Sequence, residues 1–184
     1  MGQAAPITKL INMGKDTVWY AKATNLVPRS KYFYEISGTA VPKAPPSYSH
    51  FTVMDWTMPE EPFAIAVVGD VGVQWTAPLT KMALNMDKTF EALIMPGDLT
   101  YGNGNPGKWD TYMQGMQTSF ARVPLFTCPG NHDGRDEFTS WEDDQMTAYD
   151  LRLTPTATVA SSGSDSQWYY SFDMASAKIQ TNPP

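Results

Sequence analysis

The sequence predicts an α/β domain of β-α-β-α-β order over residues 61–184, preceded by a partial all-β segment over residues 1–60. Three observations carry this reading. The first 60 residues hold aromatic and β-branched runs separated by Pro, Gly and Ser clusters, the pattern of strands and turns. After Pro59-Glu60-Glu61-Pro62, short apolar runs alternate with apolar residues at helical spacing. Each of the three apolar runs then ends in a glycine-containing polar motif.

In the first segment, Val18 to Ala23, Tyr32 to Ile36 and Ser49 to Val53 read as strands. His50 alternates along the last of these and is expected to be structural. The stretch Asn25-Leu26-Val27-Pro28-Arg29-Ser30-Lys31-Tyr32 resembles the E–F corner of a fibronectin type III sandwich. That resemblance puts Tyr32 at the tyrosine-corner position, its hydroxyl bonding back to the backbone. Such a sandwich needs about 100 residues and seven strands, so this segment is expected to hold about three strands of it.

Pro biases its neighbours toward extended structure, so the Pro59–Pro62 stretch reads as the boundary. Phe63 to Val68 is a continuous apolar run, as in a strand buried on both faces. Leu79, Met82, Ala83 and Met86 recur at i, i+3, i+4, i+7 and predict a helix. Ala92 to Met95 is the second strand. Trp109, Tyr112, Met113, Met116 and Phe120 predict a second helix, and Val123 to Cys128 a third strand. Strands joined through helices are parallel with right-handed crossovers. Farther on, a short helix is expected within Ser140 to Arg152 and a loop over residues 154–166. Gln167 to Met174 predicts a strand. Lys178 to Pro184 looks like unrelated polar sequence.

Composition narrows the function. Acids outnumber bases 19 to 13, for a net charge of -6, and no basic stripe is visible. Nucleic-acid binding is therefore not expected. The longest apolar run falls far short of the ~20 residues of a membrane span, so no membrane partner is expected. Cys128 is the only cysteine, so no internal disulfide forms; it reads as a small buried apolar residue. The stretch MGQAAPITKL has no basic region followed by an apolar core, so no signal peptide is expected in it. Two histidines, His50 and His132, are too few for a zinc site of the usual His/Cys kind.

The chemistry lies at the strand ends. The motifs are Gly69-Asp70-Val71-Gly72, Gly97-Asp98-Leu99-Thr100-Tyr101 and Gly130-Asn131-His132-Asp133. Parallel strands deliver all three loops to one sheet edge, where open α/β sheets bind ligands. Asp70, Asp98, Tyr101 and Asn131 offer oxygen donors to hard cations. A phenol with a pKa of about 10 is a poor ligand unless a highly charged ion displaces its proton. Fe(III) can do that. The competing readings are helix N-caps for Asp70 and Asp98, a loop aromatic for Tyr101, and a turn with a buried histidine for Asn131-His132. Asn103-Gly104-Asn105-Pro106-Gly107 lacks the Lys-Ser/Thr of a P-loop and reads as a turn.

The ordered set GDxG, GDxxY, GNHD resembles the metallophosphoesterase superfamily, and the Tyr of the second motif resembles that of the purple acid phosphatases. The large plant-type members carry an upstream fibronectin-like domain. The resemblance implies an acid phosphatase that hydrolyses phosphate monoesters by metal-hydroxide attack at a dinuclear centre. That centre is Fe(III) plus a divalent metal, Zn, Mn or Fe. It assigns Asp70, Asp98 and Tyr101 to the ferric ion, Asp98 and Asn131 to the divalent ion, and His132 to the substrate phosphate and leaving group. Asp133 would orient His132. It also implies secretion and dimerisation of full-length relatives. The family's later histidine motifs, VxxH and GHxH, do not occur in this sequence. The chain is therefore expected to hold part of the site, shortened at both ends relative to the family, with little activity. The alternative is a non-catalytic splice form or gene-model fragment. A metallophosphodiesterase of another branch is disfavoured by Tyr101. Unpaired strand edges are expected to make the isolated chain poorly soluble.

Overall fold

A computed structural model describes residues 7–13, 16–35, 49–55, 63–76, 78, 90–134, 146–153, 162–174 and 177–181. The helix expected around Leu79 to Met86 lies outside the described residues.

Among the described residues the first segment holds four strands rather than three. Ile7–Met13 (β1) pairs antiparallel with Asp16–Ala21 (β2), and Lys31–Tyr34 (β3) with Ser49–Thr52 (β4). The sequence reading missed β1 because Ile7-Thr8-Lys9-Leu10-Ile11-Asn12-Met13 mixes polar and apolar residues without clean alternation. Tyr32 does bond back to the backbone: its hydroxyl accepts the Val27 N–H at 3.0 Å. Its ring stacks on Phe51 across the pair, and His50 lies against Phe33 with ring centroids 5.6 Å apart.

The central sheet has the predicted parallel order. Ile65–Val67 (β5), Ala92–Pro96 (β6) and Leu125–Cys128 (β7) lie in the order β5-β6-β7. Burial on both faces holds for β6, the middle strand, where Ala92, Leu93, Ile94 and Met95 are all buried. It fails for β5, whose Val67 is 65% exposed.

Side chains alternate across β6 with a period of two, and each set seeds one half of the core. Leu93 and Met95 pack with Val71, Leu99, Val123 and Tyr149, and with Trp109, Tyr112 and Met116 of helix α1 (Pro106–Phe120). These α1 residues lie on one helical stripe, as their spacing predicts. Asn105 caps α1 by accepting the Gly107 N–H at 2.9 Å, and Pro106 fills the first turn, where no N–H is needed. A short helix, Thr147–Leu153 (α2), contributes Tyr149 and is tied to α1 by Arg152 and Asp110 at 2.8 Å.

Ala92 and Ile94 face the other way and pack with Phe126, Met54, Tyr170 and Met174. This layer is an antiparallel hairpin of Tyr170–Met174 (β8) and Ala177–Thr181 (β9). Residues 178–181 of the tail read as unrelated sequence thus lie in a paired strand, with Ile179 packed against the core. Met54 lies in this cluster, and Tyr34 donates to the Ala121 carbonyl at 3.1 Å, so the β3–β4 pair is anchored to the hairpin side of the core and to the end of α1.

The outer edge of β7 is closed by one phenol. Tyr170 Oη accepts the Thr127 N–H and donates to the Thr127 C=O, both at 2.9 Å. An exposed edge would offer those groups to another chain. Tyr170→Phe leaves both buried groups without a partner, which predicts a loss of about 1–3 kcal/mol in urea unfolding. An unchanged midpoint would remove this bond from the account of the edge.

Candidate metal centre

The three motif loops emerge from the carboxyl ends of β5, β6 and β7 and are pressed together. Gly97 has φ +88°, and a Cβ there would stand 2.8 Å from the Gly130 Cα. A Cβ on Gly130 would stand 2.3 Å from both the Asp98 amide nitrogen and Asp98 Oδ1. No side chain fits between the second and third loops, so glycine is required on both sides.

Asp70, Asp98 and Tyr101 all occupy the left-handed region, with φ of 55°, 49° and 51°. For a tyrosine this is strained, at about 1–3 kcal/mol, and it persists only where surrounding contacts impose it. The contacts are visible. The Asp133 carboxylate, 1% exposed, accepts the N–H groups of Leu99 at 2.9 Å, Thr100 at 3.2 Å and Gly130 at 2.9 Å. Asp98 Oδ1 accepts the His132 N–H at 3.0 Å. Lys108 Nζ donates to the Tyr101 carbonyl at 2.8 Å.

Expected site residues come together on this scaffold. Tyr101 Oη donates to Asp70 Oδ1 at 2.7 Å across 31 residues of chain. The bond to Asp70 is the main reason the phenol is pushed up to about 12, followed by desolvation and the nearby charge of Asp98. The Tyr101 ring stacks on His132 with centroids 4.7 Å apart and planes 27° apart. Asn131 is half-buried in the same loop, between Gly130 and His132. His50 is remote in sequence and lies on β4, in keeping with a structural role.

Two assignments change. Asp133 does not orient His132; its two oxygens are taken by the backbone of the second and third loops. Burial pushes its carboxyl up to about 6, against the pull of those same amides. The partner of His132 is Asn103, whose Oδ1 lies 2.9 Å from Nδ1. The sequence reading placed Asn103 in a turn and gave it no role. The available signal was an Asn between Gly102 and Gly104, a residue type that tolerates the left-handed conformation it adopts at φ 47°.

Among the described residues no three His, Cys, Asp or Glu side chains group as a metal site. The cluster has two carboxylates, and its third anionic donor is a phenol. Asp70, through its hydrogen bond, and the nearby charge of Asp98 both favour the protonated phenol, so three oxygen donors gather around one proton. A hard, highly charged cation replaces such a proton readily, so the donor set fits one.

Asp133→Asn keeps the size of the side chain but sets an NH2 group against amide donors. It is expected to lower stability by about 2–4 kcal/mol in denaturant titration. A change within about 0.5 kcal/mol would show that the loops are held by something else.

The calcineurin-like phosphoesterase family profile matches residues 63–181. The match runs through β9. Over 89% of its length the chain is 30% identical to "Purple acid phosphatase 21" of Arabidopsis thaliana. It is 26% identical over 62% of its length to "Acid phosphatase type 7" of Mus musculus. It spans about a third of the length of the plant relative, 34%, and 24% of the mouse one. Its fold is similar to that of purple acid phosphatase PPD1 from yellow lupin (Lupinus luteus) seeds, with a TM-score of 0.64 at 14% identity. That similarity covers 96% of this chain and 36% of the lupin chain.

Proposed function

The chain belongs to the calcineurin-like phosphoesterase family, and from that premise we propose that it carries the first part of a purple-acid-phosphatase active site for phosphate monoesters. The observation that carries this reading is the Tyr101 phenol bonded to Asp70 within the field of Asp98. A phenol becomes a good ligand only where a highly charged ion displaces its proton, so its place beside the two carboxylates points to a trivalent ion.

Asp70, Asp98 and Tyr101 are the residues proposed to hold Fe(III), with Asp98 shared and Asn131 added for a divalent Zn, Mn or Fe. When bound, the pair of ions supplies Lewis acidity toward the phosphoryl oxygens and offsets the charge that develops on displacement. The chain's own residues do the rest. Tyr101 gives up its phenol proton to become an anionic donor. The backbone N–H of His132 fixes one Asp98 oxygen, which limits how that carboxylate turns. The His132 ring contacts the phosphate and, when both of its nitrogens carry protons, donates the Nε2 proton to the leaving oxygen.

The domain reading follows the same premise. Residues 1–60 are proposed as part of a fibronectin type III-like module, supported by the Tyr32–Val27 bond and two antiparallel strand pairs. Residues 61–184 are proposed as the N-terminal part of the phosphoesterase domain. A secreted location is proposed from the resemblance alone; among the described residues no helix is long and apolar enough to cross a membrane.

A second reading, a metal-binding chain with weak turnover, is favoured by the histidine count of two. Loaded with Fe(III), the chain is expected to show a visible tyrosinate-to-iron band that disappears in Tyr101→Phe. A colourless wild-type chain would overturn the ferric assignment. Supplied with Fe and Zn at mildly acid pH, it is expected to turn over p-nitrophenyl phosphate far more slowly than the complete plant relatives do. Turnover at their level would show that the absent histidine motifs are dispensable.

A further inference from the structure

His132 is held on three sides by the loop that follows β6. The Tyr101 ring covers one face of the imidazole. The Asn103 N–H donates to the His132 carbonyl at 3.2 Å, and the Gly104 N–H to the Gly134 carbonyl at 2.8 Å. The Asn103 Oδ1 then reaches Nδ1 of the same ring at 2.9 Å. Backbone and side chain of one residue therefore grip one histidine, across 29 residues of chain.

An amide oxygen only accepts. If Oδ1 is the atom facing the ring, Nδ1 must carry the proton, and Nε2 is left with a free lone pair when the ring is neutral. The positive φ of 47° at Asn103 aims this side chain back over the third loop, and Asn adopts that conformation at little cost. We infer that Asn103 is a positioning residue: it holds His132 in the Nδ1–H tautomer, with Nε2 turned to the chemistry. The partner is neutral, so it orients the ring without adding a negative charge beside it. A carboxylate in the same place would do both. The consequence for leaving-group protonation rests on the phosphatase reading above; the tautomer does not.

The test reads the tautomer directly. The full 184-residue chain is labelled with 15N, kept without added metal, and examined by two-bond 1H–15N correlation of its imidazoles. Only two histidines contribute, and His50→Gln identifies the His132 signals. The expected wild-type pattern is Nδ1–H. Asn103→Gly removes the side chain while tolerating the positive φ, and is expected to shift His132 to the Nε2–H form common in free imidazole. Asn103→Asp restores an acceptor and is expected to restore Nδ1–H. A wild-type ring protonated on Nε2, meaning that the amide NH2 faces it, would overturn the inference. So would an Nδ1–H pattern that persists in Asn103→Gly. Because no metal or substrate is used, a colourless or inactive chain leaves this result intact, and a failed tautomer test leaves the phosphatase reading intact.

Discussion

The Asp133 carboxylate gathering the amides of Leu99, Thr100 and Gly130 is the contact on which the site depends. It is a buried anion solvated by backbone N–H groups instead of water. Its burial carries a desolvation cost, which pushes the carboxyl above the usual carboxylate range. Its return is geometric: it nails the turn after β6 to the turn after β7. Only with that turn fixed are Asp98 and Tyr101 held in left-handed conformations that neither would favour alone. Strain at Asp98 and Tyr101 and burial of the Asp133 anion are two ends of one arrangement, in which structural energy is converted into placement of oxygen donors.

The sheet explains why the donors meet at all. β6 is buried on both faces and aligned parallel with its neighbours, so consecutive strands release their loops on one edge. Leu93 and Met95 fasten it to α1, and Ala92 and Ile94 to the β8–β9 hairpin. Residues as distant as Asp70 and Tyr101 then need no long side chains to touch. The same two-sided core reaches back to Met54, and Tyr34 ties the earlier strands to the end of α1.

Much of this was legible in the sequence, and the misses have physical causes. The apolar runs of β6 and β7 and the Trp109–Met116 stripe of α1 report their own burial, because periodicity is a local property, whereas the run of β5 marks a strand but overstates its burial. The motifs report the loops, because a glycine followed by an acid after an apolar run has few other uses. Asn103, correctly read in a turn, was given no site role, and Asp133 was given the wrong partner, because their partners lie about 30 residues away, and which amide meets which acceptor depends on how two turns abut. β9 was missed because Lys178, Gln180 and Thr181 are polar, and one half-buried Ile179 is a faint signal. The Tyr32 bond was readable because its acceptor and donor are only five residues apart.

The contact between Gly97 and Gly130 has a consequence for how such sequences drift. These positions admit no other residue because backbone and the Asp98 carboxylate already fill the space. That restriction comes from folding and precedes any chemistry. A descendant that lost turnover altogether, yet still had to fold, would keep both glycines and with them much of the recognisable lettering of the motifs. The persistence of that lettering is therefore a record of steric necessity, and inheritance of the phosphatase reaction has to be judged from the imidazoles and the phenol instead.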